Sequence, residues 1–382
     1  MSAQLKRLLI TVALLGATHA VGGVQLEPSL RILAEERYDD DPLLGELGQP
    51  TGLLMSKLTP QLGLKVSDPT LTVDSWYALD FTLRHGSGNT TFDHRGMLAV
   101  DKRFTDRLRL DTDLRIWRVS DPTSLPRAGM ARSLAPVFYG RAEGALAYQL
   151  TRRLNARAGY RFEGMQILEA GAGVGIKHEP FVESWLALTP RAQLGADYRM
   201  QYFLFEQESA VAHGVGAAWR YRLTRQINLA LRAGPTFFSR NGESYSVLPR
   251  VQLDLNRDGR VFDVSFSAGH DLVGASGFTS AQWADYASLH GDWRLWRSVR
   301  LYLMTSAYRN AAAPDENWTS LDPAVVSMGY ALGGGVEWQA YRNLSFTLSV
   351  DRISQFGSPS RAASAERLER NIASLRMNFR AF

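Results

Sequence analysis

The 382-residue chain contains no cysteine, which excludes disulfide frameworks, thiolate metal sites and cysteine nucleophiles. It also lacks any run of about 20 apolar residues, the length that a membrane-spanning helix needs. Lysine is scarce, since it supplies only 5 of the 43 basic residues and arginine supplies the rest. Because 45% of the residues are hydrophobic, the chain is still too apolar for a disordered protein. These absences leave a folded protein whose positive charge is almost entirely arginine.

The first 20 residues have the pattern of an export signal. Lys6 and Arg7 form a positive segment, residues 8–16 are apolar, and the small residue Ala20 stands at the cleavage position. The apolar stretch is too short to cross about 30 Å of hydrocarbon as a helix, which favours a signal peptide over a membrane anchor. Losing Lys6 and Arg7 lowers the formal net charge from +5 to +3, too close to balance to indicate a nucleic-acid partner. We therefore predict a signal peptide over 1–20 and an exported domain over 21–382.

Apolar and polar residues alternate along most of that domain. In 71–83 the odd positions are mostly apolar, whereas the even positions include Asp74 and Asp80, and 107–117 and 154–162 repeat the pattern. A period of two places one apolar set on one side of a β-strand. Segments of this length exceed the usual globular strand of about five or six residues and suit tilted strands that cross a membrane.

Short turns of one style recur along the chain, as in Leu150–Leu154 and Leu223–Ile227, where threonine follows leucine. Longer connectors such as 120–134, 167–179 and 310–326 separate them and, as a group, are rich in Gly, Asp, Ser, Pro and Asn. Eight turns and nine connectors imply about 18 strands, or about 16 if the weak segment 180–188 is not one. Short turns at one rim and long loops at the other are typical of outer-membrane barrels, whose short turns are periplasmic.

The alternation also has a physical reason in lipid. A sheet there cannot leave edge amides unpaired, so it must close on itself, with apolar side chains outside and polar ones inside. A soluble sandwich or propeller would explain neither the strand length nor the two kinds of connection. We predict an all-β fold, a transmembrane antiparallel β-barrel of about 18 strands with short periplasmic turns and longer extracellular loops.

The signal segment, the repeated hairpins and the terminal Phe382 resemble those of porin-like outer-membrane β-barrels of Gram-negative bacteria. The resemblance implies outer-membrane lipid around the barrel, and it implies that the insertion machinery reads Phe382 as its signal. More loosely, arginine-rich, lysine-poor strands with Leu-Thr-x-Arg turns look like barrels that accompany polysaccharide-export systems. That likeness implies a periplasmic export component as a partner.

Charged residues on the polar face are the candidate lumen residues. Charged rings in a pore tune its selectivity, and arginine binds carboxylate or phosphate in a bidentate manner. The alternative is that opposite charges pair across neighbouring strands and hold the wall together. The candidates are Arg109, Arg115, Arg141, Arg157, Arg161, Arg199, Arg222, Arg250, Arg300, Asp111 and Asp113.

No residue spacing indicates a catalytic, metal or cofactor site. His270, Asp271 and Ser288 could imitate a hydrolase of the outer-membrane lipase type, but such a triad is defined by geometry. We therefore predict a non-enzymatic conduit, without cofactor, that exports an anionic solute or polysaccharide. A general diffusion porin, a barrel-embedded hydrolase and a non-conducting structural barrel are the alternatives.

Overall fold

The structure, a computed structural model, describes the chain from residue 19 to residue 381 with gaps. Residues 1–18 of the predicted signal peptide 1–20, and also Phe382, lie outside the described residues. No helix of the described part is long and apolar enough to span a membrane. The described ranges are 19–21, 23–41, 52–86, 88–120, 136–168, 174–206, 208–242, 244–273, 281–312, 325–356 and 367–381.

Every regular element of these ranges is a β-strand. A three-residue strand, β1 (His19–Val21), pairs only with the start of β2. The other strands are β2 (Val24–Asp39), β3 (Leu53–Ser67), β4 (Leu71–Arg84), β5 (Thr90–Arg103), β6 (Leu108–Val119), β7 (Val137–Gln149), β8 (Leu154–Ile167), β9 (Val174–Ala187), β10 (Ala192–Leu204), β11 (Ser209–Arg222), β12 (Ile227–Arg240), β13 (Ser246–Arg257), β14 (Phe262–Val273), β15 (Gln282–Arg294), β16 (Val299–Ala312), β17 (Val325–Tyr341), β18 (Leu344–Phe356) and β19 (Arg367–Arg380).

Strands β2 to β19 form one closed antiparallel barrel. Each strand pairs with its neighbour in sequence, and β19 returns to pair with β2 over the register Ile372↔Asp39 to Arg380↔Arg31. Closure leaves no long edge of unpaired amides, which is what lipid requires. The prediction of an 18-stranded barrel is confirmed.

One strand is longer than the sequence indicated. We expected a connector over 167–179, because glycines and charged residues crowd that segment, but β9 already begins at Val174. Lys177 and Glu179 are buried there on the inner side of the wall, where charge is tolerated because other charged side chains surround it. Composition was therefore misleading, and the alternation of Ile176 and His178 with these two charges was the better signal.

The two rims differ as predicted. At one rim β17 and β18 are joined by residues 342–343 alone, whereas at the other residues 120–136 separate β6 from β7. Large apolar side chains such as Leu58, Leu62 and Leu348 are exposed on the outer face. A closed barrel with an apolar outer surface and short turns at one rim is the architecture of outer-membrane proteins, and we assign this barrel to the outer membrane with the short turns on the periplasmic side.

Threonine explains the style of the repeated turns. The Oγ1 atom of Thr151 accepts hydrogen bonds from the backbone N–H groups of Arg153 at 3.2 Å and Leu154 at 3.0 Å. A side-chain oxygen that accepts bonds two and three residues ahead closes the turn locally. The same pair of bonds is made by Thr105, Thr189 and Thr224.

Removing one of these hydroxyl groups should weaken the barrel measurably. We expect Thr151→Ala to lower the free energy of unfolding by about 1 kcal/mol, because two backbone donors lose their acceptor. Thr151→Ser keeps the oxygen and should behave like the natural protein. Urea unfolding in detergent micelles, followed by tryptophan fluorescence, measures both, and equal losses would show that the hydroxyl group is not what closes the turn.

Candidate functional site

The inner face of the barrel is identified by ion pairs between strands that are not neighbours. Arg250 on β13 lies 2.5 Å from Asp197 on β10, and Arg232 on β12 lies 3.4 Å from Glu183 on β9. Such contacts must cross the concave side of the wall. Because side chains paired across a ladder lie on the same face, these pairs fix the inward direction for every strand.

By this register all the candidate lumen residues point inward. Arg109, for example, pairs across the ladder with Arg103, and Arg222 pairs with Asn228. The same face carries Arg115, Arg141, Arg157, Arg161, Arg199, Arg250, Arg300, Asp111 and Asp113.

Most of these arginines are neutralised by carboxylates. Glu143 is the hub of one such network, since Arg141, Arg157 and Arg161 lie 3.2, 3.0 and 2.9 Å from its carboxylate oxygens. Charge-assisted bonds of this kind fix the side chains of the wall. The remaining pairs are Arg157–Glu183, Arg161–Glu179, Arg109–Asp101, Arg109–Asp111, Arg115–Asp113, Arg199–Asp271, Arg250–Asp197, Arg300–Asp292 and Arg300–Glu337. Arg222 is the exception among the predicted arginines, because it has no carboxylate within 4.0 Å in the described structure.

A buried cluster next to this network was missed by the sequence analysis. Lys177 Nζ lies 3.2 Å from Glu163 and 3.3 Å from Glu179, and Glu179 also contacts Arg161. Tyr139 donates a 2.8 Å hydrogen bond to Glu163. The cluster therefore binds β7, β8 and β9 together from inside, which is a structural role.

The inner face is buried near the long loops and open near the short turns. In the long-loop half the side chains of Asp39 and Asp80 are 0% and 2% exposed. Close to the short turns, Arg109 and Arg300 are 55% and 46% exposed. Of these four side chains, the two at the periplasmic end of the wall are therefore the more accessible.

From β3 onward, strands with odd numbers run from the long-loop rim down to the periplasmic rim, and we call them descending strands. Four of them end in an inward-facing, exposed arginine. Arg103 ends β5, Arg222 ends β11, Arg294 ends β15 and Arg380 ends β19. Within the described ranges none of the four has a carboxylate at salt-bridge distance. We call these residues the rim arginines. Their charge is not cancelled by a neighbour, so it acts on whatever enters the opening.

The residues of the hydrolase alternative do not come together. His270 lies on the outer face, where its Nδ1 is 2.6 Å from Asp285, whereas Ser288 and Asp271 point inward and Asp271 contacts Arg199. Alternation explains this, because neighbouring residues of a strand point to opposite sides of the sheet. Three residues on two faces of one wall cannot form the relay of a triad.

A different serine does contact a histidine, on the outer face. Ser56 Oγ is 2.7 Å from His85 Nε2 and donates a 2.7 Å hydrogen bond to Glu36. The proton of the serine is thus engaged by the carboxylate and not by the imidazole. A hydrolytic triad needs the reverse order, with the carboxylate behind the histidine.

Comparisons with known proteins find similarity in fold only. No protein-family model matches the chain, and no curated protein sequence matches it significantly. The vanillate complex of OpdK from Pseudomonas aeruginosa is 10% identical, covers 92% of this chain and 98% of that one, and has a TM-score of 0.43. The glucuronate complex of Pseudomonas aeruginosa OccK2 (OpdF) is 11% identical, covers 93% of this chain and 98% of that one, and has a TM-score of 0.47. Pseudomonas aeruginosa OpdQ is 10% identical, covers 93% of this chain and 97% of that one, and has a TM-score of 0.48. At this level of identity the likenesses do not identify a substrate.

Proposed function

We propose that the barrel is a passive channel of the outer membrane that favours small anionic solutes. The observation that carries this proposal is the group of rim arginines, Arg103, Arg222, Arg294 and Arg380, at the open end of the charged wall. Unpaired charges around an opening set its ion selectivity, and positive ones raise the local concentration of anions. No chemical step is needed, so the proposed channel is not an enzyme.

The channel's ion preference is measured in a planar bilayer under a gradient of potassium chloride. We expect a reversal potential that shows chloride passing more easily than potassium. Replacing all four rim arginines with glutamine should lower the anion-to-cation permeability ratio by about two- to fivefold, because the potential at the mouth falls.

A matched control is available on the other side of the wall. Arg257 also ends a descending strand, β13, but it points outward and contacts the ring of Phe262 at 5.4 Å. Arg257→Gln removes one charge at the same height without touching the opening, so the permeability ratio should not change. A barrel that prefers potassium, or one that does not conduct, would overturn the proposal; the latter would indicate a structural barrel.

Two other functions were predicted from the sequence: export of a polysaccharide, and general diffusion of solutes without ion preference. Deleting the gene and measuring surface polysaccharide separates export from uptake, since a lost polysaccharide would indicate export. Equal permeability for anions and cations would indicate a general diffusion porin. The rim arginines favour a small anion over both, because they are spread around the mouth at one height while most arginines higher in the wall are paired with acids.

A further inference from the structure

We infer that the periplasmic mouth contains a binding site for a small carboxylate, formed by Arg191, Arg220, Arg222, Gln193, Asn228 and Asn256. This inference rests on the proposed function, because a channel for anions gives the site its supply of ligand. It goes further by naming one place on the wall and one class of ligand.

The site is a cavity of about 280 Å³ between β10, β11, β12 and β13. Gln193, Arg220, Asn228 and Asn256 all point inward by the register, and Arg191 comes from the short turn before β10. The cavity has no carboxylate among its lining residues, in contrast to the networks higher in the wall. Its polar lining consists of three guanidinium groups and three amides, all of which can donate hydrogen bonds, and Pro190, Tyr221, Leu229 and Ala230 complete the lining.

Arg220 is held in place by an aromatic ring. Its guanidinium carbon lies 3.6 Å from the centroid of the Trp185 ring, and Arg232 approaches the same ring at 5.8 Å. Trp185 is itself buried on the inner face of β9. A guanidinium stacked flat on an indole keeps its N–H donors free at the edge, so it can bind an anion without first losing conformational entropy.

The donor set suits a carboxylate. Guanidinium groups bind two carboxylate oxygens at once, and side-chain amides can hold a second polar group of the same molecule. The volume is at the small end of ligand cavities, which run to about 300–1,000 Å³ for drug-sized molecules. A small organic acid fits this description, and a long polyanion does not. Inorganic phosphate shares the chemistry, so the test must separate the two.

The test adds succinate or inorganic phosphate to the periplasmic side of single channels that carry chloride current. We expect succinate to reduce the current in a saturable manner, at lower concentrations than phosphate. In Arg220→Gln the half-blocking concentration of succinate should rise by about tenfold, because one bidentate contact is lost. Arg257→Gln, on the outer face, is the control, and succinate should block this variant at the same concentration as the natural protein.

A variant that retains every charge distinguishes binding at a specific site from attraction by the overall positive potential. Trp185→Leu removes the ring under Arg220, and we expect it to weaken succinate block by about three- to tenfold. Equal block of all variants, or block by phosphate at lower concentration than succinate, would overturn this inference while leaving an anion-selective channel in place. Loss of anion selectivity in the natural protein would instead refute the proposed function.

Discussion

Arg370→Ala should destabilise the barrel by about 3 kcal/mol, because the buried carboxylate of Asp39 then keeps only Arg37, 3.1 Å away, as a charged partner. Arg370 on β19 donates hydrogen bonds to Asp39 on β2, from Nε at 2.9 Å to each carboxylate oxygen and from Nη2 at 2.5 Å. Both side chains are almost fully buried. The pair therefore fastens the two ends of the chain at the seam where the barrel closes.

Two further variants make this prediction specific. Arg376 pairs with Glu35 at 2.9 Å on the same seam but is 44% exposed, so Arg376→Ala should cost only about 1 kcal/mol. Replacing both Asp39 and Arg370 with leucine removes both charges and should recover much of the loss. The free energy of unfolding is measured by urea unfolding in micelles, and the heat-dependent shift in gel mobility reports the folded fraction. Equal losses in Arg370→Ala and Arg376→Ala would show that burial does not determine the strength of these ion pairs.

Gly234→Val should prevent β11 and β12 from pairing and cost about 3 kcal/mol or more. A Cβ atom at this position would overlap the carbonyl oxygen of Val215 and stand 2.7 Å from the Cα atom of Gly216. These are backbone atoms, so they cannot move aside as a flexible side chain would. The strand ladder has a gap here, between the pairs Gly214↔Thr236 and Ala217↔Ala233.

A second strand glycine provides the control. A Cβ atom at Gly140 on β7 would meet no atom within 4 Å. Gly140→Val should therefore fold as the natural protein does, since valine also suits a strand. If the two valine variants fold with equal yield, close approach of the backbones is not the reason for glycine at position 234.

Much of the fold follows from the sequence because one rule acts on every strand. Lipid outside and water inside impose a period of two, so the phase of 71–83 or 154–162 already determines which side chains face inward. The turns were predictable for a local reason, since Thr151 and its counterparts bond to their own backbone. The residues at which strands begin were harder to predict. Strand β9 begins among glycines and charged residues because side chains from other strands pair with those charges.

The details of the site depend on contacts between strands, and the sequence does not contain those. It indicates that Arg199 and Arg222 face inward, but not that Arg199 contacts Asp271 four strands away while Arg222 contacts no acid of the described residues. Trp185 is one aromatic residue among many until β9 and β11 place it beneath Arg220. The hydrolase alternative shows the same limit, since the sequence does not reveal that His270 and Ser288 point to opposite faces and lie three register positions apart.

Chemical labelling of single cysteines tests the alternation directly, and the absence of natural cysteine makes each variant unambiguous. Cysteines are placed one at a time at residues 109, 110, 111 and 112 of β6, and the barrel in lipid vesicles is treated with a charged maleimide. The inward positions Arg109 and Asp111 should react, whereas the outward positions Leu110 and Thr112 should stay unlabelled in lipid. Equal labelling of all four positions would contradict a barrel wall with one wet face and one lipid face.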